Sequence, residues 1–221
     1  MLDSFEFNLY LIRHGESEVN IQPDKMGQTS DIKLTPHGRQ QAHLLHEHMF
    51  YDKNGDNKYA YDLAYSSPYV RALDTAMIVT GTNYITLVPE LREYDAGDWT
   101  NGSRSSLVTD YVKMKMGYLN MAFRPPNGES QNMVERRASE WLEKEILYNS
   151  DKYDLYRKYG RPLEILVFSH GMTIKCLLHY IMGFDRTFVW KIEIDNTSIT
   201  KLSFGDKGWR LHYINDTSHL R

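Results

Sequence analysis

The chain has 221 residues, 41% hydrophobic and 25% charged, with a formal net charge of -3 at pH 7. That balance supports a packed core over 1–221 as one domain and gives no support for nucleic acid as the main partner, while leaving room for local basic clusters that bind anions. One cysteine, Cys176, rules out an internal disulfide, and Met1-Leu2-Asp3-Ser4 carries no basic-then-apolar leader. No apolar run approaches the roughly 18–20 residues of a membrane span, so the expectation is a cytoplasmic protein without membrane or nucleic-acid partners. The sequons at Asn101, Asn196 and Asn215 are read as chance matches.

The first element is the apolar run Leu9-Tyr10-Leu11-Ile12, which ends at Arg13-His14-Gly15. A continuous run of this length predicts a buried strand of a parallel sheet. Thr35 and Pro36 predict a helix cap and first turn, with Ala42, Leu45 and Met49 as the apolar stripe. Leu63-Ala64-Tyr65-Ser66 predicts a second strand, and a helix follows Pro68 through Val70, Leu73 and Met77. Ile85-Thr86-Leu87-Val88 predicts a third strand. From Tyr94 to Ser130 the pattern is irregular and carries Pro125-Pro126-Asn127-Gly128, which reads as an insertion, about 94–130, covering a site. A long helix follows Ser130, burying Val134, Ala138, Trp141 and Leu142, with Glu145 near the stripe's edge. Ile165-Leu166-Val167-Phe168 is the strongest strand and ends at Ser169-His170-Gly171. In the helix after it, Ile174, Leu177, Leu178 and Ile181 fall at i, i+3, i+4 and i+7, and Gly183 stops it. Ile199 to Phe204 and Trp209 to Ile214 flank Gly205-Asp206-Lys207-Gly208 as a β-hairpin. Strands alternating with helices predict an α/β three-layer sandwich. Its central sheet is mainly parallel, helices cover both faces, and ligands bind beyond the strands' carboxyl ends.

Two strands end alike, at Arg13-His14-Gly15 and Ser169-His170-Gly171. Each puts a histidine on the ligand edge, followed by a glycine that permits a sharp turn and a close backbone approach. Arg13 adds charge beside His14. Arg71 falls at the start of a helix, where a cation opposes the helix dipole by about 0.3–1 kcal/mol unless an anion sits there. Two arginines and two histidines suit a dianion such as phosphate. The arginines are expected to hold down the pKa of His14 and leave a neutral imidazole nucleophile.

These residues carry a resemblance. Leu11-Ile12-Arg13-His14-Gly15-Glu16-Ser17 with Asn20 is similar to the signature of the histidine phosphatase superfamily, also called phosphoglycerate-mutase-like. Leu34-Thr35-Pro36-His37-Gly38-Arg39-Gln40-Gln41-Ala42 resembles its next block, and Ser66-Ser67-Pro68 through Arg71-Ala72 and Thr75-Ala76 the one after. Leu91-Arg92-Glu93 with Gly97-Asp98-Trp99 resembles the acid segment. Gly128-Glu129-Ser130 and Val167-Phe168-Ser169-His170-Gly171 complete the order over almost the whole chain. The resemblance implies that His14 becomes a phosphohistidine. It implies that Arg13, Arg71 and His170 hold phosphoryl oxygens, assisted by Asn20 and the Gly171 N–H. It implies that Glu93 is the general acid and base, singled out over Glu90, Asp95 and Asp98, and that activity favours mildly acidic to neutral pH. No cofactor or metal is implied. One departure is Met26 before Gly27, where family members often carry Gln or Ser. That contact is missing or supplied by Gln28 or Thr29.

The resemblance is to the phosphatase branch, acting on a small phosphorylated metabolite, in part because the Arg124-Pro125-Pro126-Asn127-Gly128-Glu129-Ser130 run looks like that branch. The alternatives are a phosphoglycerate mutase using the same phosphohistidine, and a non-catalytic module that binds phospho-ligands. Self-association stays open. His43, His46 and His48 share a helix but lack acidic or cysteine partners for a metal. Asp52-Lys53-Asn54-Gly55-Asp56 is similar to a calcium loop, but its glycine is misplaced and Leu63 stands where the closing glutamate belongs, so it is read as a turn. Met114, Met116 and Met121 read as packing or a greasy cover, and Tyr111, Tyr118 and Phe123 as candidates to touch substrate.

Overall fold

A computed structural model describes residues 5–22, 24–26, 29–51, 54–56 and 60–221. Met1-Leu2-Asp3-Ser4, Gly27, Gln28, Asp52 and Lys53 lie outside the described residues, so the leader, the Gln28 contact and the first half of the 52–56 turn do too.

The frame is a six-stranded sheet. Its strands are β1 (Phe7–Arg13), β2 (Leu63–Ser66), β3 (Thr86–Leu87), β4 (Leu163–Ser169), β5 (Ile199–Gly205) and β6 (Gly208–Asp216). The order is β3-β2-β4-β1-β5-β6. The first four run parallel, and β5 and β6 add an antiparallel hairpin beside β1. The third predicted strand shrinks to the two-residue edge β3, with both residues exposed.

The helices are α1 (Pro36–Phe50), α2 (Val70–Thr80), α3 (Arg104–Leu107), α4 (Asp110–Leu119), α5 (Gln131–Leu142), α6 (Ser150–Tyr159) and α7 (Gly171–Met182). Alternation along β1 sends Phe7, Leu9 and Leu11 to one face, with α5 and α7, and Tyr10 and Ile12 to the other, with α1 and α2. The α/β architecture with helices on both faces is therefore as the pattern predicted. Thr35 caps α1 by accepting from Gly38 N, with Pro36 in the first turn. Gly183 closes α7 at φ +64°.

Three readings need correction. In α2 the buried face is Arg71, Ala72, Thr75, Ala76 and Val79, while Val70, Leu73 and Met77 stay half-buried. The apolar count chose the larger side chains, but small ones let α2 approach the sheet. After α5 a π-turn over Glu143–Leu147 shifts the helical register, so Ile146, absent from the predicted stripe, reaches the core, while Glu145 is half-buried at the stripe's edge as expected. The irregular 94–130 stretch contains α4, capped by Thr109, whose hydroxyl accepts from Val112 N. No residue of α4 is buried, and its best-covered side chains, Val112 and Met116, are only half-buried.

Candidate active site

Strand register builds the site. Arg13 pairs with Ser169 across the parallel β1–β4 ladder, so the next residues, His14 and His170, leave the sheet side by side. Their ring centroids lie 5.1 Å apart, and both side chains are fully buried. On the other flank of β4, Ser66 pairs with Phe168, which brings Ser67 Oγ to 2.8 Å from His170 Nε2.

His14 Nδ1 lies 2.7 Å from Gly15 O. A carbonyl can only accept, so Nδ1 carries the proton and Nε2 keeps its lone pair. Arg71 Nε donates to that Nε2 at 3.3 Å. Burial pushes the pKa of His14 well below the usual imidazole value, with Arg13 and Arg71 adding to the effect. The predicted direction is right. Loss of hydration contributes more than the arginines, because no water reaches the ring. The His170 imidazole is pushed down in the same way, by burial first and then by Arg71.

Arg71 enters from the first turn of α2 and is fully buried. Its Nη1 donates to Thr29 O at 2.9 Å, its guanidinium lies over the Tyr69 ring at 5.0 Å, and Nη2 has no partner. Burial lowers its pKa to about 10. Arg13 Nη1 donates to Ile194 O at 2.6 Å, and its Nε is buried without a partner. Buried donors are nearly always paired. Two guanidiniums with idle N–H groups therefore stand beside two neutral imidazoles, a set of donors whose charge suits an anion.

The glycines differ in purpose. A Cβ on Gly15 would stand 2.5 Å from Gly38 O, so the α1 entry packs directly on the turn after His14. A Cβ on Gly171 would meet only Arg13 at 3.6 Å, an ordinary contact.

Glu93 reaches the site from the segment after β3. Its Oε1 accepts from Tyr94 N at 2.8 Å and its Oε2 from Met172 N at 3.4 Å. Ser169 Oγ donates to Leu91 O and Thr173 Oγ1 to Arg92 O, which ties this segment to the end of β4 and the start of α7. Arg137 on α5 donates to the carbonyls of Glu90 and Glu93 and to both oxygens of the Glu129 carboxylate. Asp95 and Asp98 are exposed, and Glu90 is engaged through its backbone.

Asn20 joins at one remove. Its Oδ1 accepts from Ser17 N and Oγ, while Asn196 Nδ2 donates to His14 O at 2.9 Å and approaches Asn20 Oδ1 at 3.4 Å. Thr29 serves Arg71 through its carbonyl, and its hydroxyl donates to Asp31. Met26 faces the cavity beside Glu93, which Phe123 and Met116 also line. Tyr111 and Tyr118, expected near substrate, are 61% and 89% exposed and line no part of it.

Several supporting roles were not legible in the sequence, that of Thr75 among them although it stands in a family-like block. Thr75 Oγ1 accepts from Gly15 N and donates to Arg71 O, which ties α2 to the turn after His14. Thr197, at φ +56°, donates its N–H toward the carbonyls of Arg13 and His14 and pairs its hydroxyl with His219. Hydroxyls of this kind carry no sequence signal of their own. Arg137 had none either, because Glu129 lies before the Ser130 cap of α5, eight residues away and outside i,i+3 or i,i+4 spacing. Among the described residues no three His, Cys, Asp or Glu side chains gather as a metal set. His46 Nδ1 instead pairs with Val79 O.

A buried histidine pair with flanking guanidiniums thus lies at the carboxyl ends of neighbouring parallel strands of an α/β sheet. Residues 9–217 match the histidine phosphatase superfamily (branch 1), and the chain belongs to that family of enzymes. A Hydrogenobacter thermophilus protein provisionally named phosphoserine phosphatase 2 is 28% identical over 217 residues, covering 96% of this chain and 97% of its own. A Yersinia pestis protein named probable phosphoglycerate mutase GpmB is 28% identical over 221 residues, covering 96% and 94%. Among solved structures, a phosphoserine phosphatase from Entamoeba histolytica, crystallised with phosphoserine, superposes with a TM-score of 0.76 at 28% identity, covering 97% of this chain and all of that one. No described helix is long and apolar enough to cross a membrane.

Proposed function

We propose that this enzyme is a metal-independent phosphatase that hydrolyses phosphomonoesters of small metabolites through a phosphohistidine on His14. The observation that carries it is the state of His14: Nδ1 bonded to Gly15 O, Nε2 unprotonated and facing Arg71. In the first step Arg71 Nε passes from His14 Nε2 to a phosphoryl oxygen, the freed lone pair attacks phosphorus, the P–O bond to the leaving group breaks, and Glu93 gives its proton to the departing oxygen. In the second, water attacks phosphorus, the N–P bond breaks, Glu93 takes the water's proton, and inorganic phosphate leaves. Arg13, Arg71 and His170 hold the phosphoryl oxygens, with Asn20 and the Gly171 N–H assisting. Losing one such contact costs on the order of 10²–10³ in rate. The 94–130 segment covers the leaving-group side, as its share of the cavity beside Glu93 supports.

The test is phosphate release across a panel of phosphorylated metabolites. His14→Ala is expected to lose turnover and acid-labile phosphoryl labelling together, and retained turnover removes His14 as nucleophile. EDTA is expected to leave the rate unchanged, because guanidiniums rather than a metal meet the phosphoryl charge. Strict loss with chelator contradicts the mechanism. The similarity to a protein named as a mutase motivates a second assay, interconversion of phosphoglycerates, and transfer without net phosphate release would favour that reading.

A further inference from the structure

The groups around His14 account for the phosphoryl end of a substrate. A cavity of about 220 Å³ opens on the far side of Glu93. Its walls include Met26, Trp99, Met116, Phe123 and Met172. The Trp99 and Phe123 rings lie 5.6 Å apart, and Met172 N is the donor to Glu93 Oε2. The cavity therefore starts where the bond to the leaving group would break. Thioether and aromatic walls favour flat apolar groups and adapt to their shape.

Two further observations narrow the ligand. Gln131 also lines this cavity, is 5% exposed, and its Oε1 is buried with no hydrogen-bond partner. An idle buried amide oxygen asks for a hydroxyl or N–H from the ligand. Among the described lining residues only Glu93 and Arg104 are charged, and Arg104 is exposed. A carboxylate on the leaving group would find only Arg104, itself exposed to water, and an ammonium only the Glu93 carboxylate that the reaction uses.

Resting on the phosphatase reading above, we infer that this cavity receives the leaving group. The preferred substrates are phosphomonoesters of bulky, flat, apolar alcohols bearing one neutral hydrogen-bond donor, rather than small acidic or zwitterionic phosphoesters. As the P–O bond breaks, the oxygen takes the Glu93 proton and the neutral alcohol departs from the apolar chamber.

The test compares kcat/KM for four primary-alcohol esters, so that leaving-group basicity differs little: 2-(2-naphthyl)ethyl phosphate, ethyl phosphate, phosphoserine and 3-phosphoglycerate. The naphthyl ester is expected to exceed each of the others by about 30-fold, from the apolar area it buries. Met116→Lys, at a half-buried position of α4, is expected to cut that advantage about tenfold and raise phosphoserine turnover. The wild-type comparison stands even where that variant folds poorly. Phosphoserine hydrolysed as fast as the naphthyl ester, with both dependent on His14, overturns the leaving-group assignment and leaves the phosphatase reading intact. No His14-dependent turnover of any ester overturns both.

Discussion

His14 and His170 sit fully buried between two guanidiniums, and neither imidazole can gain a proton without facing a desolvated cage. Both pKa values lie below the unfolded value near 6.5, so the unfolded chain binds protons that the folded chain refuses. Stability is then level above about pH 6.5 and falls as the pH drops below it, by up to about 1.4 kcal/mol per pH unit for each histidine. Thermal melts from pH 7.5 to 5 are expected to show this slope, and His14→Gln or His170→Gln to flatten it. A wild-type melting temperature constant down to pH 5 would mean that both rings accept protons freely. The same low pKa keeps the nucleophile competent in mildly acidic solution. His219, also lowered by burial, to about 4, adds to the slope from behind the site, where it holds Thr197.

Elements rather than single residues hold the acid. Glu93 lies in a segment without regular structure, and its aim depends on α5. Arg137 grips the Glu90 and Glu93 carbonyls while pairing with Glu129, with the two side chains only 14% and 17% exposed. A buried bidentate pair of this kind fixes geometry more than it adds stability. Arg137→Ala is expected to lower kcat about tenfold to a hundredfold with KM changed much less, since it touches no substrate. Arg137→Lys should recover little, lacking the fork that spans two carbonyls and both oxygens of a carboxylate. An equal rise in KM without loss of kcat would place Arg137 in ground-state binding instead. The turn opposite is seated by packing. A Cβ on Gly97 would come 2.2 Å from Pro126 O, so the acid segment and the Pro125-Pro126-Asn127-Gly128 turn interlock.

For the molecule as a whole, two buried guanidiniums concentrate positive charge at the carboxyl edge of the sheet. Two guanidiniums have given up water and left Arg13 Nε and Arg71 Nη2 unpaired. A dianion satisfies them, so binding is coupled to folding. Vanadate or phosphate at a hundred times its dissociation constant is expected to stabilise the fold by about 2.7 kcal/mol, a rise of roughly 5–10 °C in Tm for a chain of this size. Arg71→Ala should abolish most of that rise and weaken vanadate inhibition about 100-fold or more. Undiminished vanadate protection in that variant would remove Arg71 from the cage.

The sequence alone determined the parts whose signal is local. Apolar runs marked β1, β2 and β4, Thr35-Pro36 and Gly183 marked helix ends, and two strand-terminal histidines with Arg13 and Arg71 marked the cage. Those signals survive because they depend on neighbours within a turn or a strand. Tertiary structure decided what depends on distance. The parallel register of β1 and β4 set the spacing of the two imidazoles, and burial rather than charge dominated their titration. The small-residue face of α2, the π-turn after α5, and the grip of Arg137 on the Glu93 segment were likewise decided in three dimensions. The strand register and the Arg137 grip join segments dozens of residues apart, the α2 face and the π-turn answer to the core they pack on, and free energies of packing and desolvation exist only once these parts meet.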